Sequence, residues 1–241
     1  RPQSVRMPLS DLPDVPSFNV IFEQLQVLTL AVYTPLAYVF PSRREKYEDL
    51  YNVKGGTARD NLGQFGREQG LKKLMTVNLL KRLESSVEAF RITLDKIEAA
   101  VNHTLTRLER HSGTLSEVDI DLGDMDLDID DADDANVEAL SFGTKIKVDL
   151  SDVDIESWQR DLWNDRETLR ELLDEMRKIT PEHDLKLQEL KRIVLTKAVQ
   201  PINPGNKKSL IFSAFADTAN YLYRELSPAF EQAGLASAIV T

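Results

Sequence analysis

Residues 80–108 read LKRLESSVEAFRITLDKIEAAVNHTLTRL, and their apolar positions decide the fold class. Leu80, Leu83, Val87, Phe90, Leu94, Ile97, Val101, Leu105 and Leu108 follow one another at steps of 3 or 4. That spacing puts side chains on one stripe of an α-helix. With a lead-in from about Arg67 it predicts one helix roughly 60 Å long at 1.5 Å per residue. So narrow and long a stripe needs a partner helix. Residues 154–179 supply it, because Ile155, Trp158, Leu162, Leu169, Leu172, Met176 and Ile179 repeat the pattern. Trp158 and Trp163 fall on nearly opposite sides of that helix, so one belongs to the core and the other to an interface.

Outward from this pair, residues 1–16 carry prolines at 2, 8, 13 and 16 and read as an extended linker. Ser17 caps a predicted helix running to about Val39, with a kink at Pro35. Pro41 and Ser42 break it, a short charged helix RREKYEDLY follows, and glycines 55 and 56 end that one. Helical character then holds across 17–112. Residues 113–153 form an acidic crossover, and 154–200 a helical hairpin that completes the bundle. Its second arm is predicted to start with Thr180 as N-cap and Pro181 at the first helical position.

PINPGN at 201–206 is a turn cluster and a boundary. Beyond it residues 209–213 read as a strand, 217–226 and about 228–233 as helix, and the tail ASAIVT as a second strand. Such a β-α-β unit packs as a parallel pair with a right-handed crossover. The fold class expected is mainly α: a long antiparallel helical bundle with an acidic crossover, followed by a C-terminal β-α-β fragment.

The 241 residues include 40 acidic and 30 basic side chains, a net charge of −10. Ten of the eighteen residues from 117 to 134 are Asp or Glu, and none is Lys or Arg. Without that run the chain is neutral, so its acidic isoelectric point does not argue against nucleic-acid contact elsewhere. Basic side chains cluster at Arg43, Arg44 and Lys46, at Lys72 and Lys73, at Lys81 and Arg82, and at Arg107 and Arg110. Phosphate contact needs only such groups on one face. There is no cysteine, which removes disulfides, thiolate nucleophiles and Cys-based zinc sites, and fits a cytoplasmic location. The apolar stretch 24–41 holds two Gln, two Thr and two Pro, and reads as buried helix rather than a membrane span.

Catalytic motifs fail one by one. No Gly–Lys dipeptide occurs, so there is no phosphate loop, and the Asp174–Glu175 pair lies inside a periodic helix rather than at a strand end. A calcium loop starting at Asp126 would need Gly at its sixth position and Glu at its twelfth, where the chain has Asp131 and Val137. His103, His111 and His183 are isolated, and no metal site or Ser–His–Asp set can be assembled from them.

Two stretches carry a resemblance. LKKLMTVNLLKRLESSVEAFRITLDKI (71–97) resembles the helical segment joining the two motor lobes of bacterial Swi/Snf-type members of helicase superfamily two. KKSLIFSAFADTANYLYREL (207–226) resembles the motif that opens their second RecA-like lobe, where a strand ends in a Ser-Xaa-Phe-Xaa-Asp-Thr loop. With YTPLAYVFPSRREKYEDLY (33–51) the similarity covers about two thirds of the chain. It implies that Lys81, Arg82, Glu84, Ser85 and Ser86 belong to the inter-lobe signature. Ser213, Phe215, Asp217 and Thr218 would form the lobe-opening motif, and 201–241 would begin the second lobe. The chain is then the inter-lobe helical region of an ATP-dependent DNA helicase or translocase, a fragment without ATPase activity of its own. ATP and magnesium serve the parent protein, not this chain. Its partners are DNA and the remaining motor lobes, with no membrane, and Arg43, Arg44, Lys46, Lys72, Lys73, Lys81 and Arg82 are the expected nucleic-acid contacts. The alternative is a non-enzymatic helical scaffold that binds a protein partner through its acidic crossover.

Overall fold

Regular structure in the computed structural model, which describes residues 5–51, 64–111, 117–120 and 146–241, is mainly helical. Among these residues the helices are α1 (Phe18–Val27), α2 (Arg44–Tyr51), α3 (Gln64–Ser85), α4 (Val87–His111), α5 (Ile155–Arg177), α6 (Leu185–Val199) and α7 (Ala216–Gln232). Strands β1 (Glu117–Ile120) and β2 (Ile146–Asp149) pair antiparallel, with Glu117 opposite Asp149. The acidic crossover therefore starts and ends in a two-stranded ribbon. Most of its acidic run lies outside the described residues.

The long stripe is carried by two helices, not one, because Ser86 divides α3 from α4. Its Oγ accepts from the Ala89 amide at 3.1 Å and its carbonyl from the Phe90 amide at 3.2 Å. A serine hydroxyl that takes an amide three residues on is an N-cap, so it starts a helix where the periodicity alone would continue one. The apolar phase survives the break. Leu79, Leu83, Val87, Phe90, Leu94, Ile97, Val101, Leu105 and Leu108 are all buried, whereas Leu80 is only half-buried, so the stripe enters at Leu79.

Two compact units divide the chain, one of Arg1–Glu23, Leu79–Thr93 and Leu172–Thr241, the other of Gln24–Asn78 and Leu94–Glu171. In the second unit, the helix expected to reach Val39 stops at Val27. Leu30 takes a left-handed backbone, φ 51°, and two 3-10 turns follow at Ala31–Tyr33 and Pro35–Tyr38. The cause is a carboxylate on α5. Asp165 accepts from the Thr29 amide at 2.6 Å, the Thr29 hydroxyl at 2.8 Å and the Ala31 amide at 2.8 Å. Trp158 Nε1 donates to the Ala31 carbonyl at 3.1 Å. Amides that a longer helix would pair internally are satisfied here from outside, and Pro35 has no amide to continue with. Trp158 is fully buried and Trp163 exposed, as their spacing implied.

Glu68 on α3 is the other carboxylate in this unit's core. It accepts from the Leu36 amide at 3.1 Å, while its Oε2 is buried without a partner. Burial pushes this carboxyl up to about 8, although the amides of Leu36 and Ala37 favour its charged form. The folded chain therefore keeps a proton that the unfolded chain releases above the ordinary value of 4.5. Since the folded state binds more protons, stability falls as pH rises through this window, by about 3–4 kcal/mol between pH 5 and pH 8. Thermal melts across that range should show the decline, and Glu68→Gln should lose most of it.

In the first unit, α6 and α7 bury Leu187, Val194, Tyr221, Leu226 and Phe230 together, with Leu190, Leu195, Leu222 and Leu235 packed around them. The cap of α6 is Asp184, not Thr180. Asp184 is buried, takes the Leu187 amide at 3.0 Å and accepts from Tyr221 Oη at 3.0 Å. Residues 181–183 are turn, so Pro181 precedes the helix instead of opening it. Burial and the Asp184 carboxylate keep the Tyr221 phenol protonated. Residues 5–16 of the proline-rich segment contain bends and a turn, in which the Val15 amide donates to the Leu12 carbonyl at 3.4 Å, and they are tied down. The Leu185 amide donates to the Leu9 carbonyl at 3.4 Å, and Asp11 Oδ1 lies 2.8 Å from His183 Nδ1.

α7 is one helix with Pro228 inside it, not two. Proline lacks the amide that would bond to the carbonyl of Arg224, but the apolar face of Tyr221, Leu226 and Phe230 holds both sides of the gap in one core. Gly234, at φ 71°, ends it: the Leu235 amide reaches back to the Phe230 carbonyl at 2.9 Å. Only glycine takes that left-handed turn without strain. The two expected strands are a correction. Residues 209–213 and 236–241 form no ladder, and Leu210, Phe212 and Val240 are 84%, 88% and 96% exposed. Two parallel strands with no third neighbour lack the buried faces that would hold them.

Candidate functional site

The last turn of α3 and the first turn of α7 lie in the same unit, and the residues that carry the resemblance meet there. Arg82 donates through Nη1 to Asp217 Oδ2 at 2.9 Å, across 135 positions of sequence. Its guanidinium also stands 4.7 Å above the centre of the Phe215 ring. The Arg82 side chain is 4% exposed and that of Asp217 24%. An ion pair this sheltered is screened little by salt, and the aromatic face favours the cation from a second direction.

Hydroxyls close the rest of the contact. Thr218 Oγ1 is 2.8 Å from both Ser85 Oγ and Ser86 Oγ, and Ser85 Oγ is 3.3 Å from Ser213 Oγ. Ser213 Oγ accepts from the Phe215 amide at 3.2 Å, which turns the chain into α7. Lys186 of α6 donates to the carbonyls of Glu84 and Ser85, the latter at 3.0 Å. Those carbonyls end a helix and have no partner within it, so a cation there offsets the negative end of the dipole. Burial holds the Lys186 ammonium pKa below its usual range. Nearby, burial pushes the Glu88 carboxyl up, but Arg91 and Arg224 outweigh this and hold it below the ordinary value.

Polarity explains why these two turns meet. α3 ends with Arg82 at its negative end, and α7 begins with Asp217 at its positive end, so each charge suits both its own helix and its partner. The arrangement is a joint made of an ion pair, a cation–π contact and a hydroxyl chain.

The expected phosphate contacts divide into two groups. Arg82 is buried in the joint. Arg43 Nε and Lys46 Nζ lie 3.2 and 2.7 Å from Asp152, which also accepts from Tyr47 Oη at 3.0 Å. The Lys46 hydrogen bond lowers the Asp152 carboxyl and, in turn, raises the Lys46 ammonium. Arg44, Lys73 and Lys81 are exposed and Lys72 is half-buried. Sequence reasoning missed Asp152, Asp165 and Glu68. Among the described residues no group of His, Asp or Glu is arranged to hold a metal ion, and no helix is long and apolar enough to cross a membrane.

Comparison with family models, curated proteins and solved structures finds no match to this chain.

Proposed function

We propose that this chain is the helical region between the lobes of a Swi/Snf-type DNA translocase, contacting duplex DNA and coupling the lobes. The supporting observation is the joint. The segment resembling the inter-lobe helix (Arg82, Ser85, Ser86) and the segment resembling the lobe-opening motif (Ser213, Phe215, Asp217, Thr218) are bonded side chain to side chain. An element that transmits motion between lobes needs a stiff attachment to the first helix of the lobe it moves, and buried polar networks supply stiffness. On this reading residues 201–241 begin the second lobe, with α7 as its first helix. ATP and magnesium bind elsewhere in the parent, and the protein is cytoplasmic.

DNA contact is assigned to Arg44, Lys72, Lys73 and Lys81 by their surface positions, Arg44, Lys73 and Lys81 being exposed and Lys72 half-buried, whereas Arg82 is buried in the joint. Reversing those four to Glu is expected to weaken binding to a labelled duplex at least about tenfold at low salt, with the helical circular dichroism unchanged. Affinity that survives the reversal removes these residues from the interface. If the chain binds no duplex but captures a protein partner that is lost on deleting residues 117–134, the scaffold reading replaces this one.

A further inference from the structure

Residues 207–215 read KKSLIFSAF, and the middle five are symmetric about Ile211: Leu210 and Phe212 flank it, and Ser209 and Ser213 flank them. The segment has no regular structure, and Leu210, Ile211 and Phe212 are 84%, 44% and 88% exposed. Among the described residues no hydrogen bond reaches the backbone of 209–212. An uncharged, proline-free run outside helix and strand, with free amides and carbonyls, is a template for another strand. The question is which strand it takes.

We infer that this strip pairs with the same strip of a second copy of the chain, the two running antiparallel about Ile211. In that register Leu210 faces Phe212 twice, Ile211 faces itself and Ser209 faces Ser213, so apolar groups meet apolar groups and hydroxyls meet hydroxyls. Charge selects the direction. Parallel in-register pairing would set Lys207 and Lys208 directly against their own copies, whereas antiparallel pairing sends them to opposite ends, with Lys208 beside Ala214. Slippage by one residue is opposed as well, since it would set Ser209 against Phe212 twice, or Leu210 against Ser213 twice, in place of the apolar pairs. The ladder has natural ends: the Lys208 amide is taken by Asn206 Oδ1 at 3.0 Å, and the Phe215 amide by Ser213 Oγ at 3.2 Å. The contact is isologous and closes after two copies. It rests on the strip's own sequence and exposure, not on the translocase reading.

Two strands alone are marginal, so the association is weak, with Kd on the order of 100 µM. Sedimentation equilibrium of the chain over a range centred on that value should show a monomer–dimer equilibrium, and Phe212→Lys should raise Kd at least about tenfold. Phe212 is exposed, so this variant keeps its fold. Since the chain has no cysteine, Ile211→Cys gives a single thiol. Its Cα atoms would lie about 4.5–5.5 Å apart across the two-fold, within disulfide reach. Ile211→Cys should cross-link into dimers under mild oxidant, while Val199→Cys, which is 80% exposed, should not. A chain that stays monomeric to about 1 mM overturns the inference. So does a dimer indifferent to Phe212→Lys, or equal cross-linking at 199 and 211.

Discussion

Asp165→Ala is expected to destabilise the unit of Gln24–Asn78 and Leu94–Glu171 by about 3–5 kcal/mol, the largest effect of any single side chain described above. Asp165 is 2% exposed, and three donors converge on its two oxygens. Burial pushes its carboxyl above the ordinary range, so removing it also removes a poorly solvated charge, which by itself is favourable. The donors decide the sign. Two backbone amides would be left without an acceptor, at about 1–3 kcal/mol each, in a segment whose path they fix. Asp165→Asn offers only one acceptor oxygen and should lose roughly half as much. Urea unfolding followed by circular dichroism measures both, and a loss under about 1 kcal/mol for Asp165→Ala would mean that the Val27 helix end does not depend on this carboxylate.

Arg82→Ala is expected to cost the other unit about 2–4 kcal/mol, through the ion pair, the Phe215 contact and lost packing together. Asp217→Ala should be comparable: it removes a smaller group but leaves a guanidinium buried, whereas the Asp217 carboxylate is exposed enough to recruit water. A double-mutant cycle on the pair should return a coupling of about 1–3 kcal/mol. Arg82→Lys should not rescue, since an ammonium lacks the planar fork that both pairs with a carboxylate and covers a ring. Additive single losses would show that the two helix ends are neighbours without being joined.

The periodicity of the sequence carried most of the helical architecture. The apolar positions named on α4 and α5 are buried, apart from Ile155, which is half-buried. What periodicity could not carry was where helices stop. Ser86 and Asp184 act as caps through hydrogen bonds that any serine or aspartate in a loop is equally able to make or leave unmade, and the end at Val27 is set by Asp165, far along the chain. A usable signal was present nonetheless. Glu68, Arg82 and Asp165 each sit at helical spacing from buried apolar residues, Asp165 between Leu162 and Leu169, Arg82 beside Leu79, Glu68 before Leu71. A charge at a stripe position must either be neutralised or find a buried partner. Reading Arg82 as a free cation overlooked this. The joint was legible as two motifs, but their meeting was not, because nothing local links positions 135 apart. The terminal strands failed for a different reason: a strand needs neighbours, and an apolar run does not state whether it has them.

The most direct test of the proposed DNA-contacting role is the salt dependence of duplex binding by the intact chain, from about 50 to 200 mM monovalent salt. With Arg44, Lys72, Lys73 and Lys81 each neutralising a phosphate, log K should fall linearly against log salt with a slope of about −3 to −4. A chain that does not bind duplex DNA at the lowest salt, or binds with no salt dependence, would contradict it.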